Sequence, residues 1–145
     1  MADVANGRSA TISCVIAGRV APEKGIHTVL LAFGQLAQQG KLQDTHLTII
    51  GSGPADYRQQ LDQLVTQYNL SPHITFANPV PIEAMPQVFA KHHILLLPSE
   101  WDEPLSCTML EAMSSGLMVI GTTTGGSGEA LAHEQTGLTF QAGDE

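Results

Sequence analysis

Positive charge is scarce in this 145-residue chain. Six Lys and Arg stand against fourteen Asp and Glu, for a net charge of −8. A nucleic-acid surface works by clustering cations that displace counterions, so that class is excluded. No apolar run approaches the ~20 residues of a membrane-spanning helix. The opening stretch, Met1-Ala-Asp-Val-Ala-Asn-Gly-Arg-Ser, has no apolar core of the signal-peptide kind. Cysteine is limited to Cys14 and Cys107, far apart and without metal spacing. That usage argues against a disulfide or zinc scaffold and fits a reducing, cytoplasmic setting. Of the six histidines only His92 and His93 adjoin, and chain neighbours point different ways, so no metal site is read. There is no phosphate-loop motif, no Asp-x-Asp, no internal repeat and no low-complexity tract.

What remains is a globular composition: 43% hydrophobic residues and a mean hydropathy of +0.05. One domain is expected at this length. Hydrophobic periodicity then alternates along the chain. Thr11–Ala17 is a branched, apolar strand. Pro22 and Gly25 punctuate the loop after it. Ile26, Val29, Leu30, Phe33, Leu36 and Ala37 recur at helical spacing, closed by Gly40. Leu47–Ile50 is a second strand, ended by Gly51-Ser-Gly-Pro54. Tyr57, Leu61, Leu64, Val65 and Tyr68 form an amphipathic helix. Ile74–Phe76 is a strand, Ile82–Ala90 a short helix, and Ile94–Leu97 a wholly apolar strand suited to burial on both faces. A helix over Pro104–Ser114, a strand at Met118–Gly121, a helical turn at Gly128–Ala132 and a strand at Leu138–Phe140 complete the set.

Strands that alternate with helices predict a parallel, doubly wound α/β sheet of about six strands, with helices on both faces. Residues 1–9 read as a flexible leader and 10–145 as the domain. No helix is expected to follow the sixth strand, so the domain reads as truncated before its final helices. Sheets of this kind bind ligands beyond the carboxyl ends of the strands, where the strand order reverses.

Three loops should meet there. One carries Arg19 and Lys24, two of the chain's few cations, and their proximity suggests an anionic ligand. The second is Gly51–Pro54. The third leads into Glu103-Pro-Leu-Ser-Cys-Thr-Met-Leu-Glu111, with its two carboxylates flanking a helix start. A helix N-terminus can hold a phosphate, and carboxylates can accept bonds from sugar hydroxyls. Taken singly, Glu103 reads as a carboxylate favouring the helix dipole, Glu111 as part of a solvated helix face, and Gly51–Pro54 as a turn. Trp101 reads first as a loop residue packed on the surface, with lining of the donor pocket as the alternative, and Met109 and Met113 read as core.

In combination the motifs are more specific. Gly18-Arg19, Glu23-Lys24-Gly25, Ile50-Gly-Ser-Gly-Pro54 and Pro98-Ser-Glu100 appear in order. Glu103-Pro104, Leu110-Glu-Ala-Met113, Gly125-Gly126 and Glu129 follow them. From about Ala17 to Gly143 the chain resembles the carboxyl-terminal, donor-binding domain of retaining glycosyltransferases of the GT-B fold, glycosyltransferase family 4. The resemblance implies a Rossmann-like half of a GT-B enzyme that moves a sugar from a nucleoside diphosphate sugar to an acceptor hydroxyl. It implies catalytic roles for Arg19 and Lys24, at the diphosphate, and for Glu103, at the sugar hydroxyls. Donor-binding roles fall on Gly18, Gly51, Gly53, Val80, Leu105, Ser106, Cys107 and Glu111. The amides of Leu105, Ser106 and Cys107 would hold phosphate, Glu111 the ribose, and Gly51–Pro54 with the turn at Asn78–Pro81 the base.

No metal and no cofactor are expected, the sugar nucleotide being a substrate. The acceptor, a glycan, lipid or small molecule, would sit on an amino-terminal domain. The whole protein would be cytoplasmic, with room for a peripheral place at a membrane. Leu105-Ser106 departs from the Phe-Gly common in the family, and Gly128 stands where Pro is common. Two other readings fit the same motifs: a nucleotide-sugar-binding module without catalysis, and half of a sugar-nucleotide epimerase.

Overall fold

The computed structural model describes residues 10–145; the expected leader, residues 1–9, lies outside them. Six strands form one parallel sheet: β1 (Ile12–Ala17), β2 (Thr45–Ile50), β3 (Ile74–Ala77), β4 (Ile94–Leu97), β5 (Met118–Gly121) and β6 (Leu138–Thr139). Their spatial order is β3-β2-β1-β4-β5-β6. The chain winds outward from β1 and then returns to β1's other side with β4, so the order reverses between β1 and β4. The register aligns the strand ends. Ala17 lies opposite Ile50, Ile50 opposite Ala77, and Leu97 opposite Gly121. The loops that leave β1 to β5 therefore emerge along one edge.

Alternation in the strands builds two cores. Cys14 and Ile16 of β1 join Leu96 of β4 on the face covered by α1 (Ile26–Gln38) and α2 (Ala55–Gln67), where Leu30, Phe33 and Leu61 are buried. Val15, Leu95 and Leu97 point to the opposite face. There they meet Phe89 of α3 (Met85–Ala90) and Met109 and Ala112 of α4 (Cys107–Ser114). Each large apolar side chain so buried contributes about 1.5–3 kcal/mol. Burial also pushes the Cys14 thiol up to about 11, because the thiolate would lose its hydration. Both helical layers and the buried β4 match the periodicity of the sequence.

Three elements differ from expectation. The helix expected over Ile82–Ala90 is a 3-10 turn, Ile82–Ala84, that leads into α3. The turn expected at Gly128–Ala132 is a 3-10 segment at Gly125–Glu129. The helix expected from Pro104 starts at Cys107. Its N-cap is Ser106, whose Oγ accepts the amide N–H of Met109 at 3.2 Å. Upstream, the carbonyl of Glu103 accepts the Gly126 N–H at 2.7 Å. That long-range bond holds Glu103 in the loop, while the serine cap, worth ~1 kcal/mol, fixes the first turn further on.

Among the described residues no helix is long and apolar enough to cross a membrane.

Candidate functional site

The carboxyl edge at the β1/β4 reversal carries two adjoining cavities. The larger is about 580 Å³. Its walls come from the end of β1 and its loop (Ala17, Gly18, Arg19), from the β2 loop (Ile50 to Gly53) and from α4 (Cys107, Thr108, Glu111). Pro79, Val80, Ile82 and Met85 form its apolar side. The smaller, about 80 Å³, lies deeper between β1 and β4 and takes in Lys24, Ser99, Glu103 and Ser106. The two share Ala17, Gly18, Arg19 and Thr108.

Glycine makes this edge tight. Gly51 has φ +149°, and a Cβ there would stand 1.7 Å from the Gly18 carbonyl oxygen. The β2 loop can therefore lie directly against the β1 loop only without a side chain. Gly25 has φ +69°, and a Cβ would stand 1.9 Å from the Pro98 carbonyl oxygen. That contact brings the Lys24 loop onto the loop after β4. On α4, Cys107, Thr108 and Glu111 share one face because they are three and four residues apart. Ser106 spends its side chain on Met109, so the amides of Cys107 and Thr108 find no acceptor among the described residues. They are the orphan donors of a helix start.

The two cations are already paired. Arg19 meets Glu23, four residues on, with side chains 60% and 33% exposed. Lys24 Nζ pairs with Glu103 Oε1, and the Glu103 side chain is only 6% exposed. Trp101 Nε1 donates to the same oxygen at 3.0 Å, and Lys24 Nζ lies 5.6 Å from the centre of the indole ring. Behind them, Thr28 Oγ1 donates to Glu100 Oε1 at 3.1 Å, and His27 Nε2 lies 3.1 Å from that oxygen. Ser99, held by a bond from Thr122 Oγ1 to its carbonyl at 2.7 Å, is 2% exposed. Its Oγ is the one buried side-chain polar atom without a partner among the described residues.

The expected site residues therefore divide. Gly18, Arg19, Gly51, Gly53, Val80, Cys107 and Glu111 line the larger cavity. Gly18 and Arg19 also border the smaller one, with Lys24, Glu103 and Ser106. Leu105 lines neither cavity; its side chain is partly exposed in the loop ahead of the helix start. Sequence reasoning missed Glu23 as the partner of Arg19, although the spacing of four was visible. It set Trp101 aside, and it missed Thr108, Ile82 and the buried Ser99. No local pattern announces Lys24 with Glu103, which are 79 positions apart.

Residues 8–145 match the family model of glycosyl transferases group 1. The chain belongs to that family. The candidate glycosyltransferase YtcC of Bacillus subtilis is 32% identical over 134 residues, 88% of this chain and 32% of YtcC. The solved structure of Anabaena Alr3699/HepE with UDP and glucose superposes with a TM-score of 0.84 at 23% identity, covering 92% of this chain and 35% of that one. The carboxyl-terminal domain of the Francisella tularensis group 1 protein LpcC superposes at 0.80 and 23%, covering 93% of this chain and 70% of that one. Both structures share the fold of this chain. The chain spans about a third of the curated relatives it matches.

Proposed function

We propose that this domain binds a nucleoside diphosphate sugar, as the donor half of a transferase that moves the sugar to an acceptor hydroxyl with retained anomeric configuration. The observation that carries the reading is the pair of joined cavities at the switch point. The larger has the volume of a small-molecule site, typically ~300–1,000 Å³, and the smaller is a charged recess that opens at Arg19 and Thr108.

The roles follow from placement. Val80, Pro79 and Ile82 offer an apolar wall for a base. Glu111, one turn into α4, reaches ribose hydroxyls. The amides of Cys107 and Thr108, with Arg19, face a diphosphate. Gly51 and Gly53 seat the β2 loop against the β1 loop, and Gly18, with nothing within 4 Å of where a Cβ would stand, leaves room for the ligand. Glu103 accepts from hydroxyls of the transferred sugar, with Lys24 beside it. Leu105 and Ser106 support the helix start without holding the phosphate directly.

As the bond to the sugar breaks, positive charge develops at the anomeric carbon and negative charge on the leaving diphosphate. Arg19, Lys24 and the start of α4 stabilise the latter; removing one such preorganised group typically costs ~2.7–4 kcal/mol. These cations and dipoles supply the charge that a divalent metal would otherwise supply, so donor binding should not need one. The acceptor, whether glycan, lipid or small molecule, is held by another part of the whole protein. Holding it in place is worth ~7–11 kcal/mol, so this domain alone should bind donor and transfer slowly.

The test is a thermal-shift and calorimetric screen of UDP-, GDP- and ADP-sugars, with and without EDTA. Stabilisation by one nucleotide class, retained in EDTA, is the expected result. No binding by any class at millimolar ligand would sink the reading.

A further inference from the structure

We infer that Trp101 is a positioning residue for the transferred sugar: its indole N–H holds one oxygen of Glu103, so that the other is presented to a sugar hydroxyl. This rests on the donor-binding reading above and names a residue that the reading leaves unused.

The geometry is asymmetric at Glu103. Both of its donors, Lys24 Nζ and Trp101 Nε1, meet Oε1. No described residue donates to Oε2, yet Oε2 is not a sealed orphan, since the one such atom is Ser99 Oγ. Oε2 is therefore the oxygen left open where Glu103 borders the smaller cavity. A carboxylate accepts through either oxygen, and its terminal torsion is broad and two-fold. With Lys24 alone, the group can turn and give the ammonium both oxygens. A second donor fixed on Oε1 removes that freedom. The indole also contacts the ammonium through its face, since Nζ lies 5.6 Å from the ring centre, a cation–π distance. One side chain thus orients both members of the ion pair. Trp101 is 43% exposed, so burial of its ring does not by itself account for a tryptophan here.

Trp101 is the single tryptophan of the chain, so its emission reports this contact without a label. Trp101→Phe keeps an aromatic ring and removes the N–H. The affinities of UDP and UDP-glucose, and of GDP and GDP-mannose, are measured by calorimetry for both proteins. In the Phe variant the sugar nucleotide that binds should weaken by about tenfold or more, the loss expected when a bond to a charged group is disordered. The matching nucleotide without sugar should stay within about twofold. In the wild type, emission should change with the sugar nucleotide and not with the nucleotide alone. Unchanged sugar-nucleotide affinity in the Phe variant overturns the role of Trp101 and leaves donor binding standing. An equal loss for both ligands overturns it as well, because it marks a merely structural residue. If the wild type binds no UDP-, GDP- or ADP-sugar at millimolar ligand, both readings fall together.

Discussion

Replacing Lys24 with Met should destabilise the domain through Glu103 rather than through lost packing. Met keeps most of the aliphatic length and removes the charge. Glu103, 6% exposed, then keeps only the indole N–H of Trp101 as a donor. A contact ion pair at an effective dielectric of ~20 gains about 4 kcal/mol. Lys24 is 27% exposed, so solvent screens part of that gain, and the desolvation already suffered by Glu103 offsets more. A net loss of about 2 kcal/mol is the expectation, or roughly 8 °C in Tm for a domain of this size. Glu103→Gln removes the stranded charge. The double variant Lys24→Met with Glu103→Gln should therefore recover at least half of the loss. Urea denaturation followed by circular dichroism at pH 7 measures all four corners of the cycle. Donor affinity, read by calorimetry on the same proteins, should not recover, since both ligand groups are gone. If the two substitutions add to within ~0.3–0.5 kcal/mol, they are uncoupled and the reasoning fails.

The two carboxylates should separate by role: Glu111→Ala should weaken the free nucleoside diphosphate about tenfold, as loss of a bond to a charged group would, while Glu103→Ala spares it and weakens only the sugar's added contribution. Calorimetry with and without the sugar decides, and equal losses would refute the division. Iodoacetamide should modify the exposed Cys107 and spare the buried Cys14, with sugar nucleotide slowing the reaction at Cys107; mass spectrometry of the labelled peptides checks both points. Burial raises the Cys14 thiol from 9.0 to about 11, so the folded state holds this proton more tightly than the unfolded one. Its contribution is full below pH 9 and is lost as pH rises through about 11, at ~1.4 kcal/mol per pH unit between the two values. Cys14→Ala should flatten that limb of the stability profile, and identical slopes in both proteins would count against it.

The periodicity was enough to read the sheet because each strand reports its surroundings. Ile94-Leu-Leu-Leu97 is apolar throughout, since both its faces are covered, and Ile12–Ala17 carries its alternation in Cys14, Val15 and Ile16. Helix starts were less legible. Pro104 is a good first helical residue in isolation, but the Gly126 N–H draws the Glu103 carbonyl away, and Ser106 is the residue able to cap. The Gly-Gly-Ser-Gly run has no apolar period, which is why the turn there was displaced by three residues. The expected site residues, Leu105 apart, gather at one edge because the loops after β1, β2 and β4 converge there. What stayed hidden was their pairing. The chemistry of Lys24, Trp101 and Glu103 depends on which atoms meet across the β1/β4 gap, and spacing in sequence carries no such information.

The backbone of this edge is stitched together independently of any ligand. The Val20 N–H donates to the Ser52 carbonyl at 2.9 Å, joining the loops of β1 and β2, and the Glu100 N–H donates to the Glu23 carbonyl at 2.9 Å, joining β1's loop to β4's. The Gly126 N–H bond to Glu103 adds the loop of β5. Binding an anion then requires little movement of the main chain, only an exchange of side-chain partners, and the two cations are not equally ready for that exchange. An exposed ion pair such as Arg19 with Glu23 is worth ~0.2–1 kcal/mol. A charge-assisted bond to phosphate is stronger, so Arg19 can leave Glu23 at almost no cost. Lys24 cannot leave Glu103 so cheaply, because a largely buried carboxylate would lose its counter-charge. In the proposed site Arg19 is thus the group that turns to the diphosphate. Lys24 stays with Glu103 and extends its remaining N–H bonds toward the ligand, so the ion pair acts on the donor as one unit.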